Sequence, residues 1–333
     1  MKKIKKLFLI ILILLFVILL LLNIYFDTLL KGMDRQSKTN KNDLAITETF
    51  DKSHRGHLVT NIALFGVDND DNSTSSLDEA RSDAIKIISL DYNTQKIKMT
   101  SLERDLVVYL PGERQEYGHL NWAYAYGGST LALQTINYNF DLDLQKYVTV
   151  SFGALESIVD KLGGIDIYLT SAEINQTFMP LYISGPEGVY TLNGSQALSY
   201  SRIRKIDSDF ARMDRQNAVI QAILSKLKEK NPLDLLNILT EILPYVNTNL
   251  TNTELKLLMA QMAIFDLNNI ETYKEPAGEL NDLYTANYIG GYYVPSYVDM
   301  VSNLHKNIYN IDDYQPSQTI YETEKEIYNL YAW

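Results

Sequence analysis

The sequence predicts an α/β domain with helices on both faces of a mixed sheet, preceded by one N-terminal transmembrane helix. Three observations lead to this fold class. A long apolar segment opens the chain, short runs of alternating apolar and polar residues recur after residue 58, and segments of helical periodicity separate those runs. With 333 residues, of which 46% are hydrophobic, the chain is long enough to bury a large core.

The N-terminus carries the strongest regional pattern, because MKKIKK precedes an apolar run over residues 7–26. A helix of that length spans the roughly 30 Å hydrocarbon core of a bilayer. The run is longer than the apolar region of a signal peptide and no small-residue cleavage site follows it, so we predict an uncleaved anchor. The lysines within residues 1–6 favour a short cytoplasmic end and an extracytoplasmic location for the rest of the chain.

Charge and composition exclude several classes of protein. The formal net charge of −11 excludes a broad basic face of the kind that coats DNA or RNA, so we expect no nucleic-acid partner. Any phosphate chemistry must then depend on a local cluster of cations. The sequence contains no cysteine, which excludes disulfides, a cysteine nucleophile and thiolate metal sites in this chain.

Residues 27–57 are polar and lack apolar periodicity, which predicts a linker before a folded domain over residues 58–312. LVTNIALFGVD predicts a buried strand. DAIKIISLDYNTQKIKMTSLERDLVVYLPG predicts consecutive strands, the first two joined by a DYNTQ hairpin.

Helical periodicity begins at Ser129, and a short strand near residue 147 leads into the helix FGALESIVDKLGG, which its glycines end. IDIYL predicts a further strand. A long helix from Asp209 to about Lys230 and two Leu-rich helices follow. The tail over residues 313–333 predicts a peripheral helix or a partly disordered end.

The segment SYSRIRKIDSDFARMDRQNAV contains four arginines in an acidic chain. In an extended RIR, the side chains of Arg202 and Arg204 lie on one side and Ile203 on the other, so the sequence predicts two arginines at a strand end. Ser208 or Asp207 is suited to cap the helix that follows.

On that helix, Arg212 and Gln216 lie one turn apart beside the apolar stripe, and Arg215 falls on the opposite side. Guanidinium groups and a helix N-terminus together suit a diphosphate. The alternative is that these arginines pair with the aspartates among them, which include Asp207 and Asp214, on a solvated surface.

Two acidic segments flank the first predicted strands. Asp68, Asp70 and Asp71 follow the first strand, and Arg81 and Asp83 open the next. Carboxylates in strand-end loops suit Mg²⁺ held together with phosphate oxygens, although aspartates are also ordinary turn residues.

These segments, taken in order, resemble the LytR-CpsA-Psr family of membrane-anchored cell-wall glycopolymer transferases. The resemblance covers about residues 58–306 and includes NIALFGVD, RSDAIKIISLD, SLERDLVVYLPG, HLNWAYAYGG, FGALESIVDKLGGIDI, LNGSQALSYSRIRKIDSDFARMDRQ and GGYYVP. It implies a three-layer α/β/α domain outside a Gram-positive-type cell membrane. The implied activity moves a glycopolymer, such as a teichoic acid or a capsular-type polysaccharide, from an undecaprenyl diphosphate carrier to peptidoglycan through a phosphodiester.

The resemblance also implies roles for individual residues. Asp68 and Asp83 are implied as Mg²⁺ ligands, with Asp70 or Asp71 as substitutes for Asp68. The implied diphosphate ligands are Arg81, Arg104, Arg202, Arg204, Arg212 and Gln216. Our candidates for catalytic residues are Arg104 and Asp209, the latter to help activate the acceptor hydroxyl.

The sequence departs from the family pattern at two places. Glu103-Arg104-Asp105 replaces the usual Pro-Arg-Asp, and His119 stands where relatives often have lysine. These departures keep open a non-catalytic glycolipid-binding scaffold. A polyprenyl-diphosphate hydrolase also stays open, because a diphosphate site with Mg²⁺ serves hydrolysis as well as transfer. The Leu-rich stretches LLNILTEILPY and LKLLMAQMAIF are candidates for lining a lipid groove, although such leucine stripes more often form core.

Overall fold

A computed structural model describes residues 23–32, 34–35, 43–47, 50, 54, 56–68, 80–261, 264–266, 269–277, 288–289 and 292–331. The strands are β1 (Asp34–Arg35), β2 (Val59–Val67), β3 (Ser82–Asp91), β4 (Lys96–Leu102), β5 (Val107–Leu110), β6 (Glu116–His119), β7 (Lys146–Ser151), β8 (Ile165–Leu169), β9 (Gly188–Leu192), β10 (Val246–Thr248), β11 (Glu271–Glu275), β12 (Tyr288–Ile289) and β13 (Tyr292–Tyr293). The labelled helices are α1 (Leu120–Phe140), α2 (Phe152–Leu162), α3 (Ser171–Asn175), α4 (Gly194–Arg202), α5 (Asp209–Lys228), α6 (Pro232–Ile242), α7 (Asn252–Gln261), α8 (Tyr297–Tyr309) and α9 (Gln318–Tyr331).

Seven strands form a mixed sheet in the order β1-β10-β7-β2-β3-β4-β11. β3 pairs antiparallel with both β2 and β4, whereas β7 is parallel to β2 and β11 is parallel to β4. The predicted DYNTQ hairpin joins β3 to β4. In this turn the Asp91 carboxylate accepts hydrogen bonds from the backbone N–H groups of Asn93 and Thr94, which stabilise it. The predicted fold class, a mixed sheet with helices, is confirmed at this level.

The two faces of β2 separate the two helical layers. Ala63, Phe65 and Val67 lie in the main apolar core together with residues of α1, α8 and α9. Leu64 and Gly66 face the opposite layer, which consists of α2 and α5. Helix α4 packs against both of these helices. Side chains alternate in this way because successive residues of a strand point to opposite faces.

β2 and β3 approach closely where β2 ends. A Cβ atom at Gly66 would lie 3.0 Å from the Cβ of Ala84, so a larger residue would push the strands apart. The register shifts between Gly66 and Val67, directly before Asp68. Such an irregularity redirects the side chains that follow it, and here it precedes a predicted functional residue.

Helix α1 differs from its prediction. It begins at Leu120 rather than at Ser129, and its helical geometry is interrupted at Gly127 and Gly128. Gly128 has φ 58° and ψ −155°, a conformation that is open chiefly to glycine. The glycine pair breaks the periodicity, so the sequence pattern indicated only the second part of the helix.

Parts of the segments predicted as a linker and a tail pack into the domain. Leu44 and Phe50 are buried in the main core, and β1 pairs with β10. In α9, Ile320 and Ile327 are completely buried in the same core. The folded unit therefore includes residues before position 58 and after position 312, outside the predicted boundaries of the domain.

Among the residues that the structure describes, no helix is long and apolar enough to cross a membrane. The predicted short end (residues 1–6) lies outside the described residues. So does the predicted span over residues 7–26, except for residues 23–26, which are helical.

Candidate active site

A cavity of about 530 Å³ lies between the sheet and the layer formed by α2 and α5. This volume is typical of pockets that bind small ligands. One part of its wall is charged or polar and contains Asp68, Asp83, Arg104, Arg202, Arg204, Arg212 and Gln216. Much of the remaining wall is apolar and contains Leu64, Val150, Phe152, Leu155, Ile158, Phe178, Met179, Val219, Ile220, Ile223 and Leu224.

Each strand-end carboxylate binds one arginine. Arg104 Nη1 donates a hydrogen bond to Asp83 Oδ1 at 2.6 Å, and Arg202 Nη2 donates one to Asp68 Oδ2 at 3.2 Å. The Gln216 amide donates to the backbone oxygen of Asp83 at 3.5 Å. Because β2 and β3 are antiparallel neighbours, the residue after β2 and the first residues of β3 lie at the same edge of the sheet.

The RIR motif is not a strand, and that prediction was wrong. Helix α4 begins with a capping box between Asn193 and Gln196 and extends to Arg202, and Ile203 is its extended C-cap. Ile203 is buried in a separate apolar cluster, whereas Arg202 and Arg204 both line the cavity. The predicted placement of the two arginines on one side is nevertheless right, because one extended residue separates them.

The N-terminus of α5 lies at the polar end of the cavity. Ser208 Oγ accepts a hydrogen bond from the backbone N–H of Ala211 at 3.1 Å, as the predicted helix cap. Arg212 and Gln216 line the cavity one turn apart, and Arg212 Nη1 lies 2.9 Å from Asp209 Oδ1. The helix thus presents a cation and an amide to the same space, in addition to its own N-terminal dipole.

Arg215 lies on the other side of α5, as the helical phase predicts, but it is buried rather than solvated. Its Nε donates to Glu173 Oε1 at 2.7 Å and its Nη1 to the backbone oxygen of Ile203 at 2.9 Å. It also forms an ion pair with Asp207. Of the two interpretations of the arginines, pairing with acidic residues is therefore the one that applies to Arg215. This residue does not line the cavity.

Two predicted site residues do not line the cavity. The side chain of Arg81 is exposed, and its backbone oxygen accepts a hydrogen bond from the N–H of Asp68 at 3.4 Å. Asp209 does not line the cavity either, but its carboxylate forms an ion pair with Arg212, which does. Asp70 and Asp71, the proposed substitutes for Asp68, lie outside the described residues.

Three carboxylates lie together next to the polar end. Oxygens of Glu103, Asp105 and Asp209 are within 4.8 Å of one another. Glu103 is completely buried, and Arg212 Nη2 is 3.9 Å from its Oε1. Burial and then the charge of Asp209 raise the pKa of Glu103 to about 7. The residue that departs from the family pattern is therefore close to the site and protonates near neutral pH.

The charged form of the Arg104 side chain is strongly favoured. Burial disfavours its charged form, but the carboxylates of Asp83, Asp105 and Asp209 outweigh that effect and raise the pKa of Arg104. The guanidinium is therefore a permanent cation at the polar end of the cavity.

The predicted metal ligands have suitable chemistry. Asp68 and Asp83 both line the polar end, and their carboxylates are partly exposed while each binds an arginine. Mg²⁺ prefers one or two carboxylates together with phosphate oxygens. The two residues thus fit this ion, although they are not part of the three-carboxylate group.

Lys86 is a cavity-lining residue that sequence reasoning missed. Its Nζ is buried and donates hydrogen bonds to Ser101 Oγ at 2.8 Å and to Asn217 Oδ1 at 2.7 Å. Burial and then the charge of Arg212 lower the pKa of Lys86 to about 7. In the sequence Lys86 is an ordinary polar residue of an alternating strand, so no local signal indicates its burial.

His119 does not line the cavity. Its Nδ1 lies 3.2 Å from the backbone oxygen of Asp105, and burial lowers the pKa of its imidazole. A neutral ring outside the cavity cannot supply the positive charge that a lysine at this position would bring to phosphate binding.

The apolar wall comes from different elements than expected. Among the described residues, neither Leu-rich stretch contributes to the cavity, whose apolar side chains come mainly from α2 and α5 and from the loop after α3. In the described part of the Leu-rich stretches, Ile238 and Ile242 pack in an apolar cluster with Leu162 instead.

The fold and the cavity define an α/β protein that is suited to an amphipathic ligand with an anionic group. Comparison with known proteins gives the class more closely. The model of the LytR_cpsA_psr family matches residues 23–306, and the chain belongs to this family.

Two curated relatives illustrate the similarity. The chain is 35% identical over 208 residues to Biofilm regulatory protein A of Streptococcus mutans, covering 58% of this chain and 50% of that protein. It is 30% identical over 218 residues to the polyisoprenyl-teichoic acid–peptidoglycan teichoic acid transferase TagU of Enterococcus faecalis, covering 63% of this chain and 69% of that protein. The chain thus spans half the length of the first relative.

Solved structures share the fold. Protein gbs0355 from Streptococcus agalactiae superposes with a TM-score of 0.66 at 25% identity, covering 82% of this chain and 92% of that one. A structure described as TagT bound to LIIa-WTA superposes with a TM-score of 0.55 at 25% identity, covering 81% and 90%.

The contacts of Arg215 predict a structural role. Arg215→Ala leaves the buried carboxylate of Glu173 without this cation, so we expect the free energy of unfolding to fall by about 3 to 5 kcal/mol. Arg204→Ala is the matched control, because Arg204 is exposed, and its loss is expected to stay within about 0.5 kcal/mol. Urea unfolding of the three purified proteins measures both values, and equal stabilities would contradict the assignment.

The raised pKa of Glu103 predicts a pH dependence of stability. Between pH 4.5 and about 7 the folded state binds a proton that the unfolded state has released, so stability falls as pH rises through this window. We expect Glu103→Gln to remove up to about 3 kcal/mol of this dependence. Some dependence should remain, because burial also raises the pKa of Glu275, to about 8. Unfolding at pH 5 and pH 8 tests this, and an unchanged dependence in the variant would refute it.

Proposed function

We propose that the protein transfers a glycopolymer from a polyprenyl diphosphate carrier to peptidoglycan. The observation that carries the proposal is the cavity, with arginines at one end and an extensive apolar wall. Guanidinium groups bind phosphate oxygens through paired hydrogen bonds, and the apolar wall suits a polyprenyl chain. The relatives named as teichoic acid transferases support the same substrate class.

The proposed reaction exchanges one phosphorus–oxygen bond for another. An acceptor hydroxyl oxygen of peptidoglycan bonds to the phosphorus that carries the glycopolymer. The bond from this phosphorus to the bridging oxygen of the diphosphate breaks, so polyprenyl phosphate leaves and a phosphodiester remains. Asp209 is our candidate to accept the hydroxyl proton, and Arg104 to stabilise the negative charge on the bridging oxygen.

In this proposal the diphosphate is held by the cavity-lining side chains of Arg104, Arg202, Arg204, Arg212 and Gln216. Arg81, which the resemblance also implied, has an exposed side chain outside the cavity. We assign Mg²⁺ binding to Asp68 and Asp83, whose carboxylates lie at the same end of the cavity. When bound, the ion would neutralise charge on the diphosphate oxygens.

We also propose that residues 7–26 anchor the protein in the membrane of a Gram-positive-type envelope, with the N-terminus inside and the domain outside. The length of the apolar run and the lysines before it support this arrangement. A lipid-linked substrate and a peptidoglycan acceptor are both accessible from that side.

Product analysis tests the transferase. Full-length protein in detergent is incubated with Mg²⁺, a polyprenyl-diphosphate-linked saccharide and peptidoglycan fragments, and the products are identified by mass spectrometry. We expect a phosphodiester-linked conjugate and polyprenyl phosphate with wild type, and neither with Asp83→Ala. Polyprenyl phosphate without conjugate would indicate a hydrolase, and lipid binding without any product would indicate a glycolipid-binding scaffold. Either result would contradict the proposal.

Arg204 provides a test of the diphosphate site. Arg204→Ala is expected to lower kcat/KM about 30-fold, which corresponds to about 2 kcal/mol for one charge-assisted contact to the reacting group. Arg114→Ala is the control, because Arg114 packs on the ring of Tyr126 and does not line the cavity. Equal rates for the two variants would remove Arg204 from the site.

A further inference from the structure

Helix α7 has an unusual outer face. Thr253, Leu257 and Ala260, which are spaced by four and three residues and therefore share one face, are exposed and uncharged. Met259 is also exposed but is two residues from Leu257, so it lies on another side of the helix. The side chain of Leu257 is 55% exposed and that of Met259 is 43% exposed, and Ile264 just beyond the helix is 49% exposed. A helix in contact with water normally places charged side chains on its outer face.

Helix α9 shows the usual pattern in the same protein. It also packs on the domain through one face, but its exposed residues include Glu322, Lys325 and Glu326. The uncharged outer face of α7 thus differs from the charged outer face of α9.

The inner face of α7 already has its partners. Leu255 packs against the cluster that contains Leu30 and Leu243, and Leu258 packs against the cluster that contains Leu90. These contacts fix the rotation of the helix about its own axis. Leu257 is consequently held outward, and packing within the domain does not explain its apolar character.

The end of the N-terminal apolar segment lies against this helix. Lys256 Nζ is 2.8 Å from Asp27 Oδ1 and 2.9 Å from Asn23 Oδ1, and Asn252 Nδ2 donates to Asp27 Oδ1 at 2.8 Å. Ile24 and Tyr25, between these contacts, are about half exposed. The described end of the predicted span, at residues 23–26, thus lies beside α7.

We propose that α7, together with Ile24, Tyr25 and Ile264, rests on the lipid surface of the bilayer that the N-terminal segment enters. The inference rests on the proposed membrane anchor. Apolar side chains on an amphipathic helix insert at the boundary between headgroups and acyl chains. The contacts of Asn23 and Asp27 with Lys256 bring the exposed Ile24 and Tyr25 next to the helix that carries Leu257. A bilayer is the occupant because the chain itself continues from this patch into a segment long enough to span one.

The position of α7 also has a consequence for the substrate. Leu258 packs near Leu90, which is seven residues along β3 from Asp83, a distance of about 23 Å at roughly 3.3 Å per residue. The diphosphate site is therefore well away from the proposed lipid surface. Part of the carrier's apolar chain must leave the bilayer to reach it, and the apolar wall of the cavity can cover that part.

The absence of cysteine permits a site-specific test. Leu257→Cys and Leu330→Cys are labelled with an environment-sensitive fluorophore in the full-length protein. Leu330 is the matched control, because it is also a leucine, is 53% exposed and lies on α9. Both proteins are reconstituted into vesicles of phosphatidylglycerol and phosphatidylcholine that contain a nitroxide-labelled lipid as quencher.

We expect the label at position 257 to show blue-shifted emission and at least twofold quenching by the labelled lipid, and the label at position 330 to show neither. If the protein floats with the vesicles but position 257 is not quenched, the anchor stands and the lipid-resting surface is wrong. If the protein does not float with vesicles, both fail. A blue shift without lipid quenching, which grows with protein concentration, would indicate a protein partner and overturn the proposal.

Discussion

The grouping of arginines at one end of the cavity depends on the carboxylates between them. Guanidinium groups brought together in a partly buried space repel one another and lose hydration, so they need counter-charges within the fold. Asp83 binds Arg104, Asp68 binds Arg202 and Asp209 contacts Arg212. These pairs also connect β3 to the turn after β4, and the end of β2 to α4, so the same interactions hold the surrounding elements in place.

The same ion pairs prepare the site for an anion. In the proposed reaction, diphosphate oxygens take over hydrogen bonds from the guanidinium groups, and the carboxylates of Asp68 and Asp83 become available to a cation. Glu103 and Lys86 both interact with Arg212, and burial moves the pKa of each to about 7 from opposite directions. The charge around Arg212 is therefore set by two groups that can gain or lose a proton near neutral pH.

Apolar surface serves two separate purposes in this domain. Inside the cavity, side chains such as Leu155 and Ile223 form a wall that is closed to one side by the sheet. At the far end of β3, the outer face of α7 carries apolar side chains that the domain does not cover. A lipid-linked substrate that reacts outside the bilayer needs both kinds of surface, because the protein must stay near the lipid while it covers part of the lipid chain.

The sequence by itself indicated the strands β2, β3 and β4, the helices α2 and α5, the mixed α/β class and most residues that line the polar end of the cavity. Local patterns carried this information: period-two alternation in β2 and β3, the Ser208 cap, and the one-turn spacing of Arg212 and Gln216. Only the tertiary structure decided that RIR is the end of a helix, that Arg215 is buried against Glu173, and that α2 and α5 form the apolar wall. Those outcomes depend on contacts between residues far apart in the chain, such as Arg215 with Glu173 and Lys86 with Asn217, and no local pattern encodes such contacts.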